Sequence, residues 1–255
     1  MTTTTTTTTT PTAIYNDNEP PRVADLVHRP KQGQTTLHLV RHGQTEGNAR
    51  HLFIGSTDLP LDPLGERQAR QVGSRFSGIE IDTLISSPMQ RARQTAAEIS
   101  LTTGKPVEVV QGLSEIDFGA LEGYTIEQVL DQFPAMRSKL SAIENIDLEW
   151  PEGESRCTFY DRVLTTFLGI LERHAGTTVT VVCHGGVIGA LIAMVEGGSP
   201  SDYATYGFQN CSITTLVVTQ DQILVRLRND YSHLDEVQTE PLRLSPTFAT
   251  EKEQR

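Results

Sequence analysis

The chain has 255 residues, enough for one large α/β domain or two small ones with a substantial core. Thirty-two acidic against twenty-one basic side chains leave it at −11, which speaks against the basic footprint of a nucleic-acid binder. An acidic protein that binds phosphate must concentrate its few cations, so the place of each Arg and His matters more than their total. Three cysteines, Cys157, Cys183 and Cys211, form neither a disulfide framework nor a Cys-x-x-Cys zinc pair. Reduced, structural thiols are expected, in keeping with a cytoplasmic protein. The longest clean apolar run, Val187 to Val195, is too short to span a bilayer, and the N-terminus lacks the basic start and apolar stretch of a signal peptide.

In chain order, Thr2 to Thr10 are an unbroken threonine run followed by Pro, Asn, Asp and Glu. Such a stretch has no apolar periodicity to bury, so residues 1–34 read as a disordered tail. Thr35–Val40 is a strand, and Leu64–Phe76 a helix started by Asp62-Pro63. Thr83–Ser86 is a short strand, Met89–Thr102 a helix stopped by Gly104 and Pro106, Val107–Val110 a strand, and Ile126–Phe133 a short helix. Arg156–His174 is a long helix closed by Gly176, and the β-branched run Thr177–Cys183 a buried strand. Val187–Val195 reads as a helix closed by Gly197-Gly198, then Ile213–Val218 and Ile223–Leu227 alternate across Asp221-Gln222 as a hairpin-like pair. Alternating strands and helices predict an α/β fold, a three-layer αβα sandwich over a mostly parallel sheet. The folded domain covers 35–238, with a lid insertion at about 116–155 and a polar tail at 239–255.

Four loops that follow strands carry the chemistry. Leu39-Val40 ends in Arg41-His42-Gly43, which brings a guanidinium, an imidazole and a flexible backbone to the carboxyl edge of the sheet, where ligands of open α/β sheets bind. A guanidinium pairs with two phosphate oxygens at once. Val181-Val182-Cys183 ends in His184-Gly185-Gly186 by the same logic. Ser86-Ser87-Pro88 leads to Arg91 in the first turn of a helix that Pro88 opens, whereas Arg93, two positions round, points elsewhere. The fourth loop, Leu113 to Gly123, offers Glu115, Asp117 and Glu122 as carboxylic acids for a departing ester oxygen. Spacing alone leaves the choice among the three open.

These motifs resemble the histidine phosphatase superfamily, the phosphoglycerate-mutase-like proteins, and most closely its small cofactor-independent phosphatases such as α-ribazole phosphatase. The resemblance runs from about Thr36 to Leu234. It rests on Arg41-His42-Gly43 with Thr45 and Asn48, on Gly55 and Asp58 before Pro60-Leu61, and on Ser86-Ser87-Pro88 with Arg91 and Gln94-Thr95. Glu115 with Phe118-Gly119 and Glu122-Gly123, Gly153-Glu154-Ser155, and His184-Gly185-Gly186 complete it. It implies that His42 attacks phosphorus to form a phosphohistidine, and that Arg41, Arg91 and His184 bind the transferred phosphoryl group. Asn48 would add a hydrogen bond to it. Glu115 would protonate the leaving oxygen and later activate water. No metal or other cofactor is implied.

The expected substrate is a small phosphomonoester, with no nucleic acid or membrane as partner. A mutase of this superfamily must hold two anionic groups and needs a phosphorylated priming cofactor. Between Ile116 and Arg156 only Arg137, Lys139 and Arg156 are basic, against nine acids. Ile116 also stands where the superfamily's mutases carry a basic residue after the catalytic Glu. Hydrolysis is therefore the favoured reaction, with mutase-type transfer and a non-catalytic phosphate-binding module as alternatives. Trp150, Tyr124, Phe53 and Ile54 could line the pocket or pack the lid. Arg50 and His51 read as surface, His233 as a structural closure of the last strand, and Cys183 as a buried filler.

Overall fold

The computed structural model describes residues 33–141, 148–198, 206–220 and 222–235. The two tails, apart from Gly33 and Gln34, lie outside the described residues, as do Glu144, Asp147 and Asp221. The strands are β1 (Thr35–Arg41), β2 (Thr83–Ser86), β3 (Val107–Val109), β4 (Thr178–Cys183), β5 (Ile213–Val218) and β6 (Ile223–Asp230), in one sheet ordered β3-β2-β4-β1-β5-β6. The β2/β3, β2/β4 and β1/β4 pairs are parallel, and β1/β5 and β5/β6 antiparallel. The helices are α1 (Glu46–Ala49), α2 (Pro63–Arg75), α3 (Gln90–Thr103), α4 (Ile126–Gln132), α5 (Pro134–Ser141), α6 (Arg156–Arg173) and α7 (Gly185–Val195).

The central strands are apolar on both faces, as a sheet covered on both sides requires. Leu37 and Leu39 of β1, Val179 and Val181 of β4 and Ile85 of β2 turn to one side, against Val163 and Phe167 of α6 and Ile188 and Ile192 of α7. Their neighbours Val40, Val182 and Leu84 turn to the other, against Ala69 and Val72 of α2 and Ala92, Ala96 and Ile99 of α3. Two cores separated by one sheet make the three-layer sandwich that the strand-helix alternation predicts.

The helix signals act as expected. Asp62 caps α2 by accepting the Gly65 N–H at 2.8 Å, with Pro63 in the first turn. Gly104 closes α3 in the left-handed region at φ 69°. Three readings need correction. Pro88 does not open α3: Met89 is the N-cap, and its N–H is held by Ser87 Oγ, which keeps the chain in a turn past the proline. The helix after His184 starts at Gly185 rather than Val187, and β6 runs on to Asp230. Helices α1 and α5 and the 3₁₀ turns Gln111–Leu113 and Gly119–Leu121 have no counterpart in the sequence reading.

The loop after β1 touches the start of α2 backbone to backbone. A Cβ on Gly65 would lie 2.0 Å from the Gln44 carbonyl oxygen, and one on Gly43 2.6 Å from that of Gly65. Neither contact can yield by a side-chain rotation. Gly65→Ala is expected to cost about 1–3 kcal/mol, read as a lower denaturation midpoint with an unchanged slope.

Candidate active site

Register brings the strand ends together. Arg41 pairs with Cys183 across β1 and β4, and Ser86 with Val182 across β2 and β4. The pairing continues one residue beyond the strands, with His42 N–H on Cys183 O at 3.0 Å and Ser87 N–H on Val182 O at 2.9 Å. His42, His184 and Ser87 therefore leave three adjacent parallel strands at the same edge. The two imidazoles meet edge to face with centroids 5.1 Å apart.

Each ring is held by one nitrogen. His42 Nδ1 lies 2.7 Å from the Gly43 carbonyl oxygen, an acceptor only, so Nδ1 carries the proton and Nε2 the lone pair. Burial, reinforced by Arg91 and Arg41, holds this imidazole well below the usual histidine range, so it is neutral at physiological pH and Nε2 can act as a nucleophile. His184 is buried too; its Nε2 lies 2.7 Å from Ser87 Oγ, while Nδ1 has no protein partner.

Both arginines sit in the same recess. Arg41 donates through Nη1 to Phe208 O, and its buried Nε finds no protein acceptor. Burial pulls its pKa down to about 10, which leaves it charged. Arg91 donates to Gly55 O at 2.8 Å and Thr57 O at 2.9 Å. Among the described residues, the Arg41 Nε donor and the His184 Nδ1 nitrogen are thus two buried polar atoms without a protein partner, which suits a bound polar group.

The three acids divide by structure. Glu115 is half-buried, and accepts the Gly186 N–H at 2.9 Å and its neighbour Ile116 N–H at 3.1 Å. It supplies a partner to the first turn of α7, whose N-cap His184 makes no side-chain cap. Burial raises its pKa, opposed by those two N–H groups, Arg91 and Arg41. A Cβ on Gly186 would lie 2.3 Å from the Glu115 carboxylate, so glycine is needed for this approach. Glu122 instead gathers the N–H groups of Gly55, Ser56 and Thr57, and Asp117 accepts from Ser56 Oγ and Gly119 N–H. These two fold the loop whose carbonyls hold Arg91.

Asn48 lies next to this group. Its Oδ1 accepts from Thr45 N–H, Thr45 Oγ1 and Asn210 Nδ2, which fixes the NH₂ end as the donor. Asn210 also donates to His42 O at 2.9 Å. The sequence reading missed Asn210, which precedes β5 with no strand-end signature, and Arg162 of α6. Arg162 pairs with Glu154 through two hydrogen bonds, of 3.0 and 2.7 Å, and donates to the carbonyls of Gly112, Ser114 and Glu115. A long arginine reaching back from a helix 47 to 50 positions on leaves no local pattern. A cleft of about 480 Å³ opens beside Glu115, with Asp117, Glu152, Glu154 and Arg162 on its walls.

The ambiguous residues resolve toward packing. Trp150 is fully buried against Phe53 and Phe118, with centroids at 6.0 and 5.1 Å, and Tyr124 is packed against the same core. Arg50, His51 and Arg93 are exposed. His233 Nε2 reaches Cys211 O at 3.0 Å, as a structural closure would, and Cys183 is buried with its thiol pushed up by burial. Among the described residues no helix is long and apolar enough to cross a membrane, and no three His, Cys, Asp or Glu side chains gather as a metal site.

The family model of the histidine phosphatase superfamily (branch 1) matches residues 37–231. The chain belongs to that superfamily. This histidine phosphatase chain is 33% identical over 204 residues to the probable phosphoglycerate mutase GpmB of Salmonella choleraesuis, spanning 78% of the chain and 94% of the relative. Among solved structures it is similar to a phosphoserine phosphatase mutant from Entamoeba histolytica in complex with phosphoserine, at TM-score 0.71 and 29% identity over 78% of this chain and 99% of that one. The α-ribazole phosphatase of Shigella flexneri shares the fold at TM-score 0.69 and 23% identity, over 76% and 96% of the two chains. Superfamily members are phosphatases and mutases.

Proposed function

We propose that the protein is a phosphomonoester hydrolase working through a phosphohistidine. The observation that carries this reading is the pairing of a buried, neutral His42, whose Nδ1 is committed to Gly43 O, with two buried nitrogens that have no partner among the described residues, Arg41 Nε and His184 Nδ1. His42 Nε2 forms a bond to phosphorus as the ester P–O bond breaks. Arg41, Arg91 and His184 balance charge on the transferred oxygens, with Asn48 as a further donor. Glu115, whose pKa burial raises, gives its proton to the leaving oxygen. As a carboxylate it then takes a proton from water, which attacks phosphorus, releases inorganic phosphate and restores His42.

Hydrolysis is preferred over mutase transfer because of the walls beside Glu115. Asp117, Glu152 and Glu154 face the cleft, and its one arginine, Arg162, is already tied to Glu154. Ile116, at the position after Glu115, is buried and apolar. Among the described residues lining that cleft, a second anionic group on the substrate finds no uncommitted cation. The name of the Salmonella relative keeps the mutase reading in view. The purified protein is expected to release inorganic phosphate from a panel of alkyl phosphomonoesters. With 3-phosphoglycerate and 2,3-bisphosphoglycerate it should release phosphate and form no 2-phosphoglycerate. Isomerisation without net release would decide for the mutase.

A further inference from the structure

The hydroxyl of Ser87 bears on how His184 can serve an anion while uncharged. A neutral imidazole has one N–H and one lone pair, and which nitrogen holds the proton is set by what the other one meets. His184 Nδ1 is buried and has no protein partner, and Nε2 meets only Ser87 Oγ at 2.7 Å. Were the proton on Nε2, the bare Nδ1 lone pair would be the atom left to meet the phosphoryl oxygens, and lone pair would face lone pair.

Ser87 is placed to prevent this. A serine hydroxyl has one proton and two lone pairs. The Met89 N–H approaches Ser87 Oγ at 3.4 Å from the turn before α3, and so takes one of its two lone pairs. Among the described residues the hydroxyl proton has one acceptor within hydrogen-bond distance, His184 Nε2. Ser87 itself is rigid: its backbone N–H is bonded to Val182 O at 2.9 Å, its carbonyl accepts Ser86 Oγ at 2.9 Å, and the residue is fully buried. We propose that Ser87 is a positioning residue that donates to His184 Nε2, fixing the tautomer with its proton on Nδ1, so that an uncharged His184 presents a hydrogen-bond donor to the transferred phosphoryl group. Burial and the nearby Arg91, His42 and Arg41 oppose the doubly protonated ring, which makes the tautomer the remaining control. His42 and His184 thus share the Nδ1-protonated tautomer but are held by different nitrogens. His42, its N–H spent on Gly43 O, offers the Nε2 lone pair, and His184, its Nε2 lone pair spent on Ser87, offers the Nδ1 proton. The tautomer stands independently of the phosphatase reading, and its catalytic effect rests on that reading.

The test is ¹⁵N-edited imidazole NMR on the full chain at neutral pH, with the His184 signals assigned by their loss in His184→Gln. The wild type is expected to show a protonated Nδ1 and an unprotonated Nε2 for His184. Ser87→Ala should shift the ring toward the Nε2-protonated form and lower kcat for an alkyl phosphomonoester by about 10-fold or more, the scale on which outer partners of histidines act. Ser87→Thr, which keeps the hydroxyl, should restore both. A wild-type His184 protonated on Nε2 overturns the proposal even if phosphate is released. A Ser87→Ala protein with unchanged tautomer and kcat overturns it as well. The expected tautomer in a protein that hydrolyses no phosphomonoester supports the Ser87 assignment and removes the phosphatase reading instead.

Discussion

His42→Ala is expected to lower phosphate release by about 10⁴-fold or more, because removing a covalent nucleophile leaves only binding and charge stabilisation. The scale follows from the site. Arg41, Arg91 and His184 stay in place in the variant and still bind a phosphate, so substrate affinity should change far less than turnover. That split separates a nucleophile from a binding group, whose loss would appear mainly in KM. The second readout is covalent. Rapid quenching of the wild type with labelled substrate should trap a phosphoryl group on protein that survives alkali and is lost in acid, and His42→Ala should trap none. The variant should remain folded, since its other contacts are backbone ones: His42 N–H on Cys183 O, and Asn210 Nδ2 on His42 O. An Ala variant that turns over as fast as the wild type would remove the covalent mechanism and leave direct attack by water.

Residues near a strand end were the most legible from sequence. Arg41-His42 and Cys183-His184 each follow a β-branched apolar run, and parallel pairing of such runs brings their ends to one edge whatever the rest of the chain does. The order of the sheet was not legible in the same way, because nothing local in Ile213–Val218 says that it lies antiparallel to β1. Helix α5 escaped notice because Met136 and Leu140 are its only buried side chains among those described, too few for a periodic signal. The choice among Glu115, Asp117 and Glu122 depended on their hydrogen-bond partners, which spacing does not encode. Of the three, only Glu115 reaches the start of α7; Glu122 is used up by the N–H groups of the loop around Ser56, and Asp117 accepts from Ser56 Oγ and Gly119 N–H. Asn210 and Arg162 enter from segments far along the chain, so their roles exist only in three dimensions.

Glu115→Gln is expected to give the second large effect, and one that depends on the leaving group. A positioned acid contributes about 10²–10⁴ in rate, so hydrolysis of alkyl phosphomonoesters should fall by that order. An aryl phosphate such as p-nitrophenyl phosphate departs without needing a proton, and its first step should be nearly untouched. Its second step still lacks the group that takes a proton from water. The variant should therefore show a burst of nitrophenol followed by slow turnover, with phosphohistidine accumulating. The pH dependence has a fixed sign. Burial raises the Glu115 pKa above the ordinary carboxylate range, so wild-type activity on alkyl substrates should hold at low pH and decline as pH rises through that raised value; Glu115→Gln should lack this limb. Stability moves in the same direction. A group whose folded pKa is raised stabilises the fold fully below its unfolded pKa and loses that contribution as pH climbs through the folded one. Relative to wild type, the folded state of Glu115→Gln should thus gain toward alkaline pH, where the wild type must keep a buried charge or lose it to solvent. An enzyme that keeps its leaving-group dependence and alkaline limb after this substitution would place the proton donor elsewhere, with Asp117 on the same cleft wall as the next residue to change.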